Sequence, residues 1–329
     1  MQAKISYIFL ISIAILFSGC LNKKPSVKKV QTPTWVKTMP KDNTKFTYGV
    51  GISKTREDAL KEALNDVVSK FGVKVKSSFT NKEIVDGYYS KSISSSNIEA
   101  SVEKIKVTNY NVEKSARISY KEYAVLIKVD NEKFFNTLLK DITQLEKYIE
   151  SELEKTAAVD IISRYNINKA MLKECDRLLS NSLVAYELNN NFEKNRYFNF
   201  VSDVKENYYN VASSLRFYVY GDKNSQNFLK VIKQQLIDSG FNVADKNNVN
   251  VINVKLSTSD NHSSKQQIVS IKLNMRVTDG LVTLGSRSFV LKERYKNSKE
   301  SIYNTASVHF EQDVEKNTIE NILGIGINN

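Results

Sequence analysis

The distribution of glycine and proline constrains the fold of this chain more than any other feature of its sequence. No proline follows Pro40, and no glycine lies between Gly87 and Gly221. Glycine costs backbone entropy in a helix, and proline lacks the N–H group that a helix needs, so both interrupt helices. The long central segment without either residue therefore favours helices, and we expect strands and turns on both sides of it.

The central segment, residues 137–213, is predicted to form two or three antiparallel helices, arranged as an arm or hairpin. Its first part, "FFNTLLKDITQLEKYIESELEK", repeats apolar residues nearly every 3.5 positions. This stripe consists of Phe135, Leu138, Ile142, Leu145, Ile149 and Leu153. The asparagines at 189–191 indicate a turn, and Cys175 stands at core spacing on a helix. We expect these stripes to pack against one another within the arm and not against a helix of a partner.

The preceding segment, residues 34–136, has the pattern of one helix laid across a small antiparallel sheet. Residues 44–53 alternate as in a strand, and a helix is expected to start at Thr55 and stop at Gly72. A further strand is expected at 73–79, "VKVKSSF", followed by a serine-rich stretch at 90–97 that is either a loop or the start of a helix. The stretches "EKIKVTNYNV" and "YKEYAVLIKVD" are predicted to pair as antiparallel strands.

The glycines of the first strand raise the question of a phosphate-binding turn. A dinucleotide fingerprint would need a third glycine at position 54, which is Lys54, and a Walker loop would need Gly-Lys-Ser/Thr at the helix start. Gly49 and Gly51 instead share one face of the strand. We interpret them as a flat backbone surface against which another element, of this chain or of a neighbouring copy, packs closely.

The last segment, residues 214–329, is predicted to be a small α+β domain. "LRFYVYG" is expected to be a strand, and "SQNFLKVIKQQLIDSG" a helix that Gly240 ends. Strands are expected near "NVNVINVKLST", "QIVSIKLNMRVTDG" and "SRSFVLKERY", and a final helix from about Lys299 to Leu323. The whole chain is therefore predicted to belong to the α+β class.

The amino terminus has the pattern of an export signal. Lys4 precedes an apolar run of roughly twelve residues, which is shorter than the ~20 that span a bilayer. "LFSGC" then resembles a bacterial lipobox, with Phe17 where leucine is commonest, and it predicts acylation of Cys20. Residues 1–19 would be the signal peptide and 20–33 a solvated tether. By resemblance to lipoproteins, Leu21 after the cysteine favours the outer membrane, facing the periplasm.

The charge balance suggests anionic partners. Loss of residues 1–19 removes only Lys4 and lowers the formal net charge from +12 to +11. A basic balance can indicate nucleic acid, but an exported lipoprotein seldom meets any. We therefore expect anionic lipid, lipopolysaccharide or peptidoglycan as counter-charges, and no nucleic acid.

The sequence offers little that points to catalysis. Its two histidines are His262, expected in a solvated polar turn, and His309, expected on the final helix. Neither has a companion at metal-ligand spacing, and Asp260 near His262 has no serine elbow to complete a triad. Cys175 is expected to be a buried packing residue. We predict no catalytic residue, no metal and no cofactor.

At "PTWVKTMP", "YGVGIS", "REDALKEALNDV" and "YAVLIKVD" the chain resembles the Lpp-twenty family of Gram-negative outer-membrane lipoproteins, which has related domains in the flagellar proteins FlgP and FlgT. The resemblance covers about residues 33–136. It rests on Trp35, Tyr48, Gly49, Gly51, Ala59 and Ala63. It implies an envelope lipoprotein without enzymatic activity, several relatives of which are tied to flagellar basal structures.

Three classes of function follow from these observations. The first is a structural lipoprotein that assembles as a homo-oligomer, or with other envelope proteins, at the outer membrane. The second is a periplasmic carrier or assembly factor whose basic face binds lipid or glycan. The third, an envelope hydrolase, lacks the residues that it would need. We expect the first.

Overall fold

The computed structural model describes residues 32–82, 101–248, 251–263, 268–294 and 298–326, and the chain folds as an α+β protein. Cys20, the tether as far as residue 31 and the serine-rich segment at 90–97 lie outside the described residues. Helices α1–α8 are Thr34–Lys37, Arg56–Lys82, Asn131–Glu154, Ile161–Leu188, Lys194–Ser214, Gln226–Asp238, Lys299–Glu315 and Ile319–Leu323. Strands β1–β8 are Phe46–Ser53, Tyr110–Ser119, Glu122–Asp130, Arg216–Gly221, Asn242–Val243, Ile252–Ser263, Ile268–Asp279 and Val282–Arg294.

The contacts divide the chain into two compact units. The first combines Met1–Val67 with Tyr110–Val129, and the second combines Val68–Asn109 with Asp130–Asn329. The first unit holds a three-stranded sheet in the order β1-β3-β2, in which β2 and β3 form an antiparallel hairpin. Residues 124–127 of the central strand β3 are all buried. Because successive side chains of a strand point to opposite faces, both faces of β3 are covered.

The hairpin corrects one boundary of the sequence analysis. The antiparallel pairing with "YKEYAVLIKVD" is confirmed, but its partner begins only at Tyr110. Of the predicted stretch "EKIKVTNYNV", residues 103–109 lie outside a strand, and β2 continues instead to Ser119. The alternation of lysine with apolar residues at 104–107 imitates a strand in a segment that forms a turn.

Helix α2 corrects a second expectation, because it continues through Gly72 to Lys82 and the strand predicted at 73–79 is absent. Phe71 and Val75 are each only 2% exposed, whereas Val73 between them is 66% exposed. This is the spacing of a helix, in which residues four apart share a face. A glycine inside a helix costs about 1 kcal/mol relative to alanine, and that penalty alone does not end the helix.

The central helices agree with the prediction. Asp130 caps α3 by accepting a hydrogen bond from the Lys133 N–H, and Asp160 caps α4 through the N–H groups of Ile162 and Ser163. Helix α4 packs against both α3 and α5. The predicted stripe on α3 is largely buried, except that Phe134 takes the core position expected for Phe135. The expected turn at 189–191 separates α4 from α5.

The second sheet has the order β5-β4-β6-β7-β8. Strand β4 runs parallel to β5 and β6, whereas β6, β7 and β8 pair antiparallel. Helices α6, α7 and α8 contact this sheet. One face of β7 belongs to the core, and its residues there are Val269, Ile271, Leu273, Met275 and Val277.

Two further expectations for this region are wrong. The final helix is divided in two, because Thr318 has extended backbone angles and accepts a hydrogen bond from the Asn321 N–H, which starts α8. His262 lies in β6, opposite Val269, and not in a turn. The predicted end of α6 is confirmed, since Gly240 has a φ of +83° after the helix.

Candidate functional site

The glycines of β1 lie directly against the backbone of helix α2. A Cβ atom at Gly49 would stand 2.2 Å from the Ala63 carbonyl oxygen, and one at Gly51 would stand 2.1 Å from the Ala59 carbonyl oxygen. Ala59 and Ala63 are completely buried at this contact. The element that packs on the glycine surface is therefore the helix that follows it in the same chain.

Polar contacts fix the start of α2 on the strand. The Thr55 hydroxyl accepts a hydrogen bond from the Asp58 N–H at 3.0 Å and donates one to the Asp58 carboxylate at 2.8 Å. One helical turn beyond the alanine contacts, the Asp66 carboxylate accepts a hydrogen bond from the Val50 N–H at 3.1 Å. Helix and strand are thus held in one register, and the space that a phosphate would need at the glycines is filled by protein backbone.

The other residues of the family pattern lie elsewhere. Tyr48 alternates with the glycines and is half-buried on the opposite face of β1. On that face the Lys128 ammonium lies 4.9 Å from the centroid of the Phe46 ring, a cation–π contact. Trp35 is half-buried in the short helix α1. Cys20, the predicted acylation site, lies outside the described residues.

Of the histidine–aspartate pair considered in the sequence, Asp260 is bound by residues of helix α7. Asp260 accepts hydrogen bonds from the Lys299 ammonium at 2.9 Å and the Tyr303 hydroxyl at 3.3 Å. The Lys299 hydrogen bond lowers the pKa of Asp260. His309 is bound through Nδ1 to the Glu293 carboxylate at 2.6 Å. Within the described residues, no group of three histidine, cysteine or carboxylate side chains could hold a metal ion.

Cys175 occupies a closed position beside a partly buried ion pair. Its side chain is 0% exposed, and burial raises the pKa of the thiol to about 12. The neighbouring Asp176 carboxylate pairs with the Lys205 ammonium at 3.0 Å. A thiol with this pKa is protonated at neutral pH, and the thiolate is the reactive form, so the predicted packing role of Cys175 is confirmed.

A second buried carboxylate joins α8 to α4. Glu320 accepts a hydrogen bond from the Tyr165 hydroxyl at 2.9 Å and forms an ion pair with Lys169. Burial by itself would raise the pKa of Glu320, but the Lys169 hydrogen bond and ion pair together with other hydrogen bonds outweigh it, and the net pKa is lowered. The sequence analysis missed this cluster because its members are more than 150 positions apart.

A cleft of about 440 Å³ lies in the second unit, between α3, α4 and the turn before β2. The charged residues of this cleft are Lys104, Lys106, Lys173, Arg177, Asp141 and Glu174. Arg177 forms an ion pair with Glu174 at 3.0 Å, which leaves an excess of positive charge. Two of these lysines, Lys104 and Lys106, belong to the stretch "EKIKV". Their alternation with apolar residues predicts a strand, and it is also the signal of this cleft in the sequence.

No protein-family model and no curated protein sequence matches this chain. Among solved structures it is similar to the secreted protein HP1454 of Helicobacter pylori, with a TM-score of 0.44 and 14% identity over 82% of this chain and 96% of that one. A minor lipoprotein of Acinetobacter baumannii has a TM-score of 0.26 and 8% identity over 33% of this chain and 95% of its own. Uncharacterized lipoprotein B of Nitrosomonas europaea has a TM-score of 0.21 and 13% identity over 33% of this chain and 79% of its own. The family stays unassigned.

Within the described residues, no helix combines the length and the apolar character needed to cross a bilayer.

Proposed function

We propose that this chain is a non-enzymatic lipoprotein of the bacterial envelope, held by acyl chains on Cys20, with a structural or assembly role at the outer membrane. The "LFSGC" sequence supports the anchor. The glycines of β1 support a structural role, because they accommodate helix α2 and leave no phosphate cradle. The Lpp-twenty resemblance extends the proposal to flagellar basal structures.

The observation that carries the structural role is the long outer strand β8. It has 13 residues, lies at the end of its sheet, and leaves Val282 and Val290 each 61% exposed. Outer strands can pair with another chain. The outer strand β2 has two register shifts within ten residues, whereas β8 has one, near its amino end, and pairs regularly from Gly285 to Arg294; such irregularities disturb edge pairing. We therefore expect copies to associate through β8, helped by confinement on a membrane.

Two measurements test this proposal. The unaltered protein should incorporate labelled palmitate, and Cys20→Ser should abolish the label and release the protein into the soluble periplasmic fraction. In solution, light scattering of the mature chain should show association that Val290→Lys weakens. Val308→Lys is the matched control, because Val308 is 51% exposed on helix α7. A monomeric mass at high concentration, with an even envelope signal of a tagged copy in cells, would refute the scaffold role, whereas foci at flagellated poles would support it.

The cleft favours a second candidate, a periplasmic factor that binds the phosphate or carboxylate of a lipid headgroup or of peptidoglycan. Positive side chains outnumber carboxylates along its lining, and charge-assisted hydrogen bonds to such groups are strong. Titration with glycerol 3-phosphate and with muramyl dipeptide should show saturable binding that Arg177→Ala weakens. Lys230→Ala, at an exposed position of α6, should leave it unchanged. Absence of binding by both probes would remove this candidate.

A further inference from the structure

The five-stranded sheet has one face that no described helix covers. Core residues alternate with exposed or half-buried ones along most of β6, β7 and β8, as the two faces of a sheet require. We call the exposed side, formed by the alternate residues 216–220, 253–261, 268–278 and 286–294, the open face. It carries six exposed cations, which are Arg216, Lys255, Lys272, Arg276, Lys292 and Arg294.

Charge is sorted between the two faces of this sheet. The open-face positions in the described parts of β4, β6, β7 and β8 include no aspartate or glutamate. The carboxylates of these strands lie elsewhere: Asp260 and Glu293 bond to residues of α7, and Asp279 stands at the end of β7 before the hairpin turn. A solvated face usually mixes both signs, and this one exposes cations separated by serine and asparagine.

Tyrosines border the cations on one side. Tyr218 and Tyr220 project from β4 with their rings stacked, at a centroid distance of 5.4 Å and an interplanar angle of 17°. They lie in the same cross-strand rows as Asn253 and Lys255 of β6. Tyrosine combines an apolar ring with a polar hydroxyl, and for this reason it is enriched where protein meets the interfacial region of a bilayer.

The cations form a two-dimensional array. Lys255 and Arg276 face each other across β6 and β7, Lys272 stands opposite Val290, and Lys292 opposite Ser270. At about 3.3 Å per residue and about 4.8 Å between strands, the array extends roughly 40 Å along the strands, from the row of Arg216 to that of Arg294, and about 15 Å across them. A linear polymer would engage one row of such an array, whereas a charged surface engages all of it.

We propose that the open face docks the protein on a bilayer that contains anionic phospholipid. The inference rests on the proposed function only for the acyl anchor, which brings the sheet within reach of a leaflet. Six cations would meet lipid phosphates, and the tyrosine pair would lie at the headgroup level. The two together would fix the orientation of the protein on the membrane, which a flexible tether alone does not do.

The test uses the mature chain from residue 20 with Cys20→Ser, so that no acyl chain contributes. It should float with phosphatidylglycerol–phosphatidylcholine vesicles and not with pure phosphatidylcholine vesicles, and high salt should release it. Each cation near an anionic leaflet contributes about fivefold to binding, so Lys255→Glu with Lys272→Glu and Lys292→Glu should weaken binding by at least about a hundredfold. The corresponding Lys→Gln variant should also bind the vesicles more weakly than the unaltered protein, but less so than the Lys→Glu variant.

A matched control separates a docking face from net charge. Lys223→Glu, Lys230→Glu and Lys246→Glu change the charge by the same amount at exposed positions outside the open face, and this variant should keep most of the binding. Equal losses in both variants, or equal binding to neutral vesicles, would overturn the proposal. So would tighter binding to single-stranded DNA than to vesicles with the same lysine dependence. Circular dichroism checks folding, and palmitate labelling of the lipidated triple variant tests the anchor separately.

Discussion

Replacing Gly51 by alanine should destabilise the first compact unit by about 2–3 kcal/mol. The new Cβ would lie 2.1 Å from the Ala59 carbonyl oxygen and 2.3 Å from the Ala63 nitrogen, so helix and strand must separate by at least about 1 Å. Overpacking in a core costs about 1–3 kcal/mol, and helix backbone cannot rotate away, which favours the upper end. Alanine also lowers the conformational entropy of the unfolded chain, which offsets about 0.4–1 kcal/mol of this destabilisation.

The assay is denaturant unfolding followed by the fluorescence of Trp35. This is the only tryptophan of the sequence and belongs to the same compact unit as Gly51. For a unit of this size the loss corresponds to a fall in Tm of about 10–20 °C. Gly72→Ala is the control, and because Gly72 belongs to the second unit, circular dichroism is recorded beside the fluorescence for both variants. A Cβ at Gly72 would meet Val102 at an ordinary contact distance of 3.8 Å, and alanine should stabilise the helix there by about 1 kcal/mol.

The pair of variants can refute the reasoning in two ways. If Gly51→Ala unfolds at the wild-type midpoint, the helix backbone does not lie on the strand as described. If Gly72→Ala destabilises the protein, helix α2 stops at Gly72, and the strand that the sequence suggested at 73–79 is restored. Gly49→Ala combined with Gly51→Ala should cost less than the sum of both, because one retreat of the helix accommodates both methyl groups.

Glu320→Gln should cost about 1–3 kcal/mol at neutral pH, measured by thermal unfolding. The pKa of Glu320 is lowered below its ordinary value of 4.5, so its stabilisation is present above pH 4.5 and disappears as the pH falls through the folded value, and the variant should lack this acid dependence. Cys175 should react with a thiol reagent only on unfolding, and fast labelling of the native protein would contradict its burial. Asp222→Ala should lower the free energy of unfolding by about 2–3 kcal/mol. The Asp222 carboxylate accepts hydrogen bonds from the backbone N–H groups of Asn224, Ser225 and Thr258, the last at 2.6 Å. An unchanged Tm would show that these hydrogen bonds do not stabilise the fold.

The elements that the sequence predicted best are those that a single local pattern determines, either an apolar stripe or a strict alternation. The helices α3–α5 follow from apolar stripes in a stretch without glycine or proline, and β4, β6 and β7 follow from alternation bounded by turns. The break before α8 was missed because Lys316, Asn317 and Thr318 include neither helix breaker, and only the extended backbone of Thr318 shows it. At 73–79 the apolar positions suit a strand and a helix equally, and tertiary burial of Phe71 and Val75 decides between them.

The candidate surfaces depended on information that no local pattern contains. The shared face of Gly49 and Gly51 could be predicted because strand side chains alternate, but the identity of the element above them could not. The open face requires the register of four strands, and a slip of one residue in β7 would place Lys272 in the core and Leu273 outside. The Glu320 cluster depends on a contact with Tyr165 that spans 155 positions.

The order of strands in the first sheet also governs when it can form. Strand β1 is hydrogen-bonded to β3, and β3 ends at Asp130, more than 75 residues after β1 ends at Ser53. A chain that leaves a ribosome or a translocation pore amino end first therefore exposes β1 without a partner until Asp130 has emerged. Closing so long a loop is entropically costly and slow. In the export that we propose for this chain, the delay would keep the amino-terminal unit unfolded until all of it has crossed the membrane, which suits a pathway that carries only extended chains.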